Sequence, residues 1–420
     1  MTNLVDNLTW YSPFVALFAT ILSFADPITD ILTLVEFYRE DHKTWFSLAI
    51  TFLFLPSLVL STWPCFEKGV SRTWKLARFF LWGFNPFSVA LKRLRVLIFF
   101  LKNFKKLWQD EKIEFKEDTV HPFTTELLLT QSELFGFYEA VFESTPQFII
   151  QLYIVSVQQE PVHIIQIISL PVSFLSLVWA STVADEVIQS KRYYEHTETA
   201  IDVPLKVKDK TLLVVTQLFL LSSRLFAIAF FTVSYKWWII SVLMIHSMAI
   251  VLVDTIWLYR SHICNAENLV RSALYFCFHW LRDDWSMRTQ ELGLSLEIVK
   301  KQLKSMQLFS NGLFVAENIA MILVFYFSPF SNTWYSLPIT ICVCSFSVLG
   351  ATMRVTHFHF LIGKTSYESV SPPSEQSTTI VPSVVIMADI ISPPDQPHVN
   401  KADQQETGIL DYTDISYVTH

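Results

Sequence analysis

Glu133-Leu-Phe-Gly-Phe-Tyr-Glu139-Ala-Val-Phe-Glu143-Ser-Thr-Pro146-Gln147-Phe-Ile-Ile-Gln151-Leu-Tyr153 is the stretch whose reading decides the fold. Aromatic and branched apolar residues dominate it, interrupted by three carboxylates, two glutamines and a proline. Glu139, Glu143, Gln147 and Gln151 recur every four residues. At helical spacing they form a slowly drifting polar stripe on an otherwise apolar rod. Inside a bilayer such a stripe is costly and must face protein or water, so it marks a functional site by default. Pro146 removes one backbone hydrogen bond, which predicts a kink beside Glu143.

Composition points to a membrane. The hydrophobic share is 52% and the charged share 16%, with 36 Phe against 8 Gly and a positive mean hydropathy. Soluble domains carry about a quarter charged residues. The net charge of −7 hides an uneven distribution, with acids crowding the C-terminal tail and bases certain loops. No basic groove interleaved with aromatics appears, which argues against nucleic acid as a partner. The five cysteines (Cys65, Cys264, Cys277, Cys342, Cys344) form neither a CxxC pair nor a secreted-type framework. They read as free or buried thiols, with Cys65 a palmitoylation candidate at the end of a span. No P-loop or other glycine-rich phosphate motif is present, so neither a catalytic site nor a nucleotide, cofactor or metal is expected.

Outward from the opening stretch, the N-terminus shows no signal-peptide pattern. A first span runs from about Trp10 to Val35 and carries Asp26 and Asp30, one helical turn apart around Pro27. A second runs from about Trp45 to Trp63 with Pro56 inside. Residues 79–100 are apolar but interrupted by Asn85, Pro86, Lys92, Arg93 and Arg95, and read as a partially inserted segment. The opening helix spans about Thr124 to Val157, too long to stand upright, and a fourth span follows over about Val162 to Ala184.

After a polar connector at 185–210, the pattern returns. Leu212–Val233 carries Arg224, and Trp237–Tyr259 carries His246 and Asp254. Residues 269–281 are too short to cross, Leu308–Ser328 carries Glu317 and Asn318, and Trp334–Leu361 carries Arg354. The expectation is an all-α polytopic membrane protein of two four-helix repeats, 1–184 and 211–362, with eight transmembrane helices and two partially inserted ones. A Ser-, Pro-, Thr- and acid-rich tail at 363–420 is expected to be disordered.

Loop charge sets the orientation. Loops at 65–78, 101–122, 185–210, 260–268 and 282–306 hold about twenty Lys and Arg, against about three in the loops on the other side. The first set is therefore cytosolic, as are both termini, and the sequon Asn7-Leu-Thr9 stays unmodified.

The residues Glu143-Ser-Thr-Pro146-Gln147, Gln151-Leu-Tyr153, Asp26-Pro-Ile-Thr-Asp30 and Leu55-Pro56-Ser57 together resemble the signature of the XK-related family. The resemblance covers most of Trp10 to Leu361 and implies a plasma-membrane protein of two four-helix repeats with charges inside the membrane. Several members of that family are phospholipid scramblases, activated when a caspase cleaves a terminal tail. One forms an extracellular disulfide with a partner protease, but the predicted outside loops of this chain hold no cysteine.

The physical reading agrees with a lipid path. A zwitterionic headgroup loses its water in hydrocarbon unless polar groups replace it step by step. Asp26, Asp30, Glu139, Glu143, Asp254 and Glu317 suit the amine, with Gln147 and Gln151 on the same stripe. Arg224 and Arg354 suit the phosphate. The plain alternative is that Arg224 pairs with Asp26, Asp30 or Glu143 and locks the two halves together, and His246 reads as a hydrogen-bonded core histidine. Asp411-Tyr-Thr-Asp414 in the tail matches a caspase pattern. Expected partners are phospholipids, a caspase, and a single-pass accessory subunit or a second copy of the chain. A solute transporter and a structural subunit of another membrane protein stand as the alternative functions.

Overall fold

The structure, a computed structural model, describes residues 11–62, 85–109, 136–157, 163–193, 200–202, 207–260 and 296–365, with Thr73 and Leu76. Its helices are α1 (Ser12–Arg39), α2 (Lys43–Thr62), α3 (Ser88–Lys102), α4 (Phe104–Trp108), α5 (Gly136–Val157), α6 (Ile164–Ser190), α7 (Val207–Tyr235), α8 (Trp238–Arg260), α9 (Leu296–Tyr326) and α10 (Ser336–Thr365). A short antiparallel ladder in the connector pairs β1 (Lys191–Tyr193) with β2 (Ala200–Asp202).

Part of α1 reverses the pattern of a soluble helix. On α1, Phe14, Phe18, Ile21, Ile28, Leu32 and Val35 are exposed. The opposite face buries Thr20, Ser23, Asp26, Asp30 and Thr33. Lipid tails are as apolar as leucine, so greasy residues gain nothing by facing inward and polar ones must. The buried hydroxyls of Thr20, Ser23 and Thr33 donate to carbonyls one turn back, leaving no donor bare.

Among the described residues six helices are long and apolar enough to cross: Ser12–Arg39, Gly136–Val157, Ile164–Glu186, Val207–Tyr235, Leu308–Tyr326 and Ser336–Thr356. The other two expected spans are present as the helices α2 and α8, but their described apolar stretches, Lys43–Leu55 and Trp238–Val253, are shorter. At about 1.5 Å per residue these reach roughly 20–24 Å, less than the roughly 30 Å of hydrocarbon.

The described part of the first partially inserted segment is α3. The Asn85-Pro86 turn starts it: the Asn85 side chain accepts from the Phe87 N–H (3.0 Å) and its carbonyl accepts from Ser57 Oγ (2.8 Å). The second partially inserted segment (269–281), the N-terminal part of the opening helix (124–135) and the tail beyond residue 365 lie outside the described residues. α9 begins at Leu296, about three turns before the expected span start at Leu308.

α7 is the most buried of the six spans and the hub of the molecule. It packs on α5 and α6 from one half and on α8, α9 and α10 from the other, while α1 packs on α2, α3 and α6. Phe226 and Phe230 of α7 lie between Phe148 of α5 and Phe325 and Tyr335 of the second half. The opening stretch, α5, is therefore a neighbour of the centre rather than the centre itself. Close approach of α10 to α7 depends on Gly350, where a Cβ would stand 3.0 Å from the Leu220 side chain and backbone nitrogen.

Candidate functional site

Among the described residues two buried polar clusters lie within the bundle. In the first, spacing does the work of assembly. Asp26 and Asp30 sit one turn apart on α1, and Ser169 and Ser173 sit one turn apart on α6. The carboxylates therefore meet the hydroxyls in register. Ser173 Oγ donates to Asp26 Oδ1 and Ser144 Oγ of α5 to Asp26 Oδ2, both at 2.6 Å. Asp30 Oδ1 accepts from Ser169 Oγ (3.1 Å) and Gln151 Nε2 (3.2 Å). Gln147 Nε2 donates to the Ala49 carbonyl at 2.6 Å, tying α5 to α2.

Glu143 is different. It is 1% exposed, and neither carboxylate oxygen has a hydrogen-bond partner among the described residues. Its electrostatic neighbours Glu139, Asp26 and Asp30 are all acidic, and Asp30 Oδ2 also lacks a partner among the described residues. Glu143 sits within a π turn, Ala140–Ser144, which Thr145 separates from Pro146. Pro146 has no N–H to donate one turn back, and the register widens instead, with the Thr145 N–H and Oγ1 both reaching the Ala140 carbonyl. The irregularity expected at Pro146 thus takes the form of a wide turn. That turn places Gln147 and Gln151 fully inward and leaves Glu139, upstream of it, half-buried at the rim.

Among the described residues, Arg93 of α3 brings a cation to this cluster. Its guanidinium donates to Ser23 Oγ and the Ala19 carbonyl (3.4 Å) and interacts with Asp26 and Glu139. It occupies the place a side chain would take at position 136, which only glycine leaves open.

The second cluster corrects an expectation. Arg224, fully buried on α7, does not pair with Asp26, Asp30 or Glu143. It lies 3.0 Å from Glu317 Oε2 and donates to Asn318 Oδ1 at 3.0 Å, both on α9. Nδ1 of the buried His246, on α8, lies 2.5 Å from the same Glu317 oxygen. The Phe314 ring covers the guanidinium, 4.9 Å from centroid to Cζ. Arg224 therefore locks α7, α8 and α9 to one another. The physical reason is helix order: α9 packs on α7, and Glu317 is the acid that this packing presents.

What holds the halves together lies elsewhere. Asp185 at the end of α6, which the sequence reading assigned to the connector, is buried and accepts from Gln217 Nε2 of α7. Beside it Lys210 meets Glu186 and lies over the Tyr11 ring. At the other end Tyr335 Oη donates to the Ser156 carbonyl at 3.1 Å.

Of the remaining predicted residues, Asp254 lies on α8 with its side chain outside the described set. Arg354 is half-buried on α10, and Asp411 and Asp414 lie outside the described residues. Sequence reasoning missed Arg93, Asp185, Gln217 and the serines Ser144, Ser169 and Ser173. The paired spacing of Ser169 and Ser173, matching Asp26 and Asp30, was the available signal. Among the described residues no three His, Cys, Asp or Glu side chains converge as a metal site. Apart from Glu139 and Glu317, the clustered side chains are almost wholly buried, so they face protein and not lipid.

The sequence model of the XK-related protein family matches residues 14–362. No curated protein matches the chain.

Proposed function

We propose that this chain, which belongs to the XK-related family, is a phospholipid scramblase described here in its shut state. In this reading it carries lipids between the leaflets of the plasma membrane without nucleotide, exposing phosphatidylserine. Eight spans in two four-helix repeats, with two partially inserted helices, provide the frame, and both termini are cytosolic. The observation that carries the reading is Glu143. A buried carboxylate with no hydrogen-bond partner among the described residues and three acidic neighbours weakens the fold. Such groups persist where activity needs them. A headgroup amine is the natural partner for this acid, and opening of the helices would bring the two together. Cleavage of the tail at Asp414, within the Asp411–Asp414 pattern, is the proposed trigger, acting by a population shift toward the open form.

A structural-subunit reading is favoured by one specific observation, the contact of Arg224 Nη1 with Glu317 and Asn318 inside the second half. The experiment that separates the two uses purified protein in liposomes carrying a fluorescent lipid, with dithionite added outside. A scramblase makes inner-leaflet lipid accessible to bleaching, and Glu143→Gln slows that phase at equal protein content. Wild-type protein, full-length or tail-cleaved, that leaves the inner leaflet protected would overturn the proposal.

A further inference from the structure

We propose that α8 is a lateral gate over the second polar cluster, latched by the contact of His246 with Glu317. The inference rests on the scramblase reading and locates where the bilayer gains access to Arg224.

Among the described residues, α8 is held on one side. Ile239, His246, Ser247 and Ile250 are buried, while Ile240, Met244, Ile245, Met248, Leu252 and Ile256 are exposed along its length. An exposed apolar face of this kind meets lipid tails, which offer it no preferred position. α7, by contrast, buries fifteen residues and cannot move without dismantling the core. α8 joins α7 through a tight turn in which Lys236 takes a left-handed conformation (φ 47°), and a hinge needs only a few such residues. Past the hinge, a polar hold on α9 among the described residues is His246 Nδ1 on Glu317 Oε2, the oxygen that also holds Arg224 Nη1. Three helices thus meet at one atom. Swinging α8 outward frees one ligand of Glu317 and uncovers the cluster, while α7 and α9 stay joined through Arg224, Glu317 and Asn318. The side chain of Glu317 already keeps 13% exposure, so the cluster lies just beneath the surface.

A close polar contact with a carboxylate sets the scale of the latch, so breaking it is expected to raise the open population about 10- to 100-fold. The test uses full-length protein in liposomes with two separate cysteine reporters, Ser247→Cys on the inner face of α8 and Ala227→Cys on α7. Each is made with His246 and with His246→Leu, and a water-soluble thiol reagent is added, with the parent chain subtracted. The expected result is at least tenfold faster labelling at position 247 in the His246→Leu protein, with position 227 unreactive. No change at position 247 overturns the gate. Labelling at both positions also overturns it, because it shows His246 to be part of the fold. If His246→Leu does not accumulate, His246→Gln takes its place under the same criteria. Lipid scrambling by the parent chain is measured in the same liposomes. A parent that labels as expected but moves no lipid under any condition removes the scramblase reading and leaves the moving helix.

Discussion

Replacing Glu143 by glutamine is expected to stabilise the protein while slowing lipid movement. The side chain is isosteric, so packing around the π turn is preserved. A buried polar group without a partner costs about 1–3 kcal/mol, and a charged one more. At Glu143 both oxygens lack a hydrogen-bond partner among the described residues, and the neighbouring charges are all acidic. A glutamine amide brings N–H donors into a site that holds acceptors, among them Asp30 Oδ2. The expected gain is about 1–3 kcal/mol, from one new buried hydrogen bond in place of an unpartnered group. Thermal unfolding in detergent, followed by tryptophan fluorescence, should give a higher midpoint for the variant, and the dithionite assay a slower inner-leaflet phase. This is the direction expected where a site is kept for activity at the expense of stability. A lowered midpoint would refute the reasoning, because it would show that the carboxylate has a structural partner. A raised midpoint with unchanged lipid movement would refute its functional half.

Other outcomes follow from the same geometry. Arg224→Ala leaves Glu317 and Asn318 without their buried partner and should cost about 3–5 kcal/mol, read as a collapse of the monodisperse peak in size-exclusion chromatography. Gly136→Ala places a Cβ where the Arg93 guanidinium lies and should destabilise by about 1–3 kcal/mol. Normal thermal stability would show that Arg93 has room elsewhere. Epitope tags at Met1 and His420 should stain only after permeabilisation, and surface staining of either would reverse the orientation. An executioner caspase should shorten the tail of the wild type but not of Asp414→Ala, with scrambling rising only in the former.

The membrane character and the inward polar faces were legible because hydrocarbon makes the demand so strict. Asp26, Asp30, Glu143, Gln147 and Gln151 could face only protein or water, and they face protein. Their partners were not legible. A serine is nearly silent in a hydropathy pattern, and in a helix it can satisfy itself on its own backbone. Only the four-residue spacing of Ser169 and Ser173, matching that of Asp26 and Asp30, separates Ser173, which bonds Asp26, from Ser23, which bonds the Ala19 carbonyl. Pro146 announced an irregularity, yet whether the chain kinks or widens is decided by what packs around it.

The misplaced partner of Arg224 shows where sequence reasoning stops. An arginine in a span requires an acid, and five intramembrane acids from the first half and α8 were available besides Glu317. Choosing among them requires the order of helices, which is a tertiary fact. Once α9 lies on α7, Glu317 is the acid at hand, and the first half is left with its carboxylates and Arg93 as its buried cation. The consequence is an uneven division of charge: an acid-rich cluster between α1, α5 and α6, and an arginine-centred one between α7, α8 and α9. Net charge is blind to this division, because it sums over residues that the fold keeps apart. A headgroup with an amine at one end and a phosphate at the other finds both complements in such a molecule, but at separate places, each behind its own helices. Opening one cluster therefore does not by itself open the other, and a lipid path through both requires movement on the α8 side as well as beside Glu143.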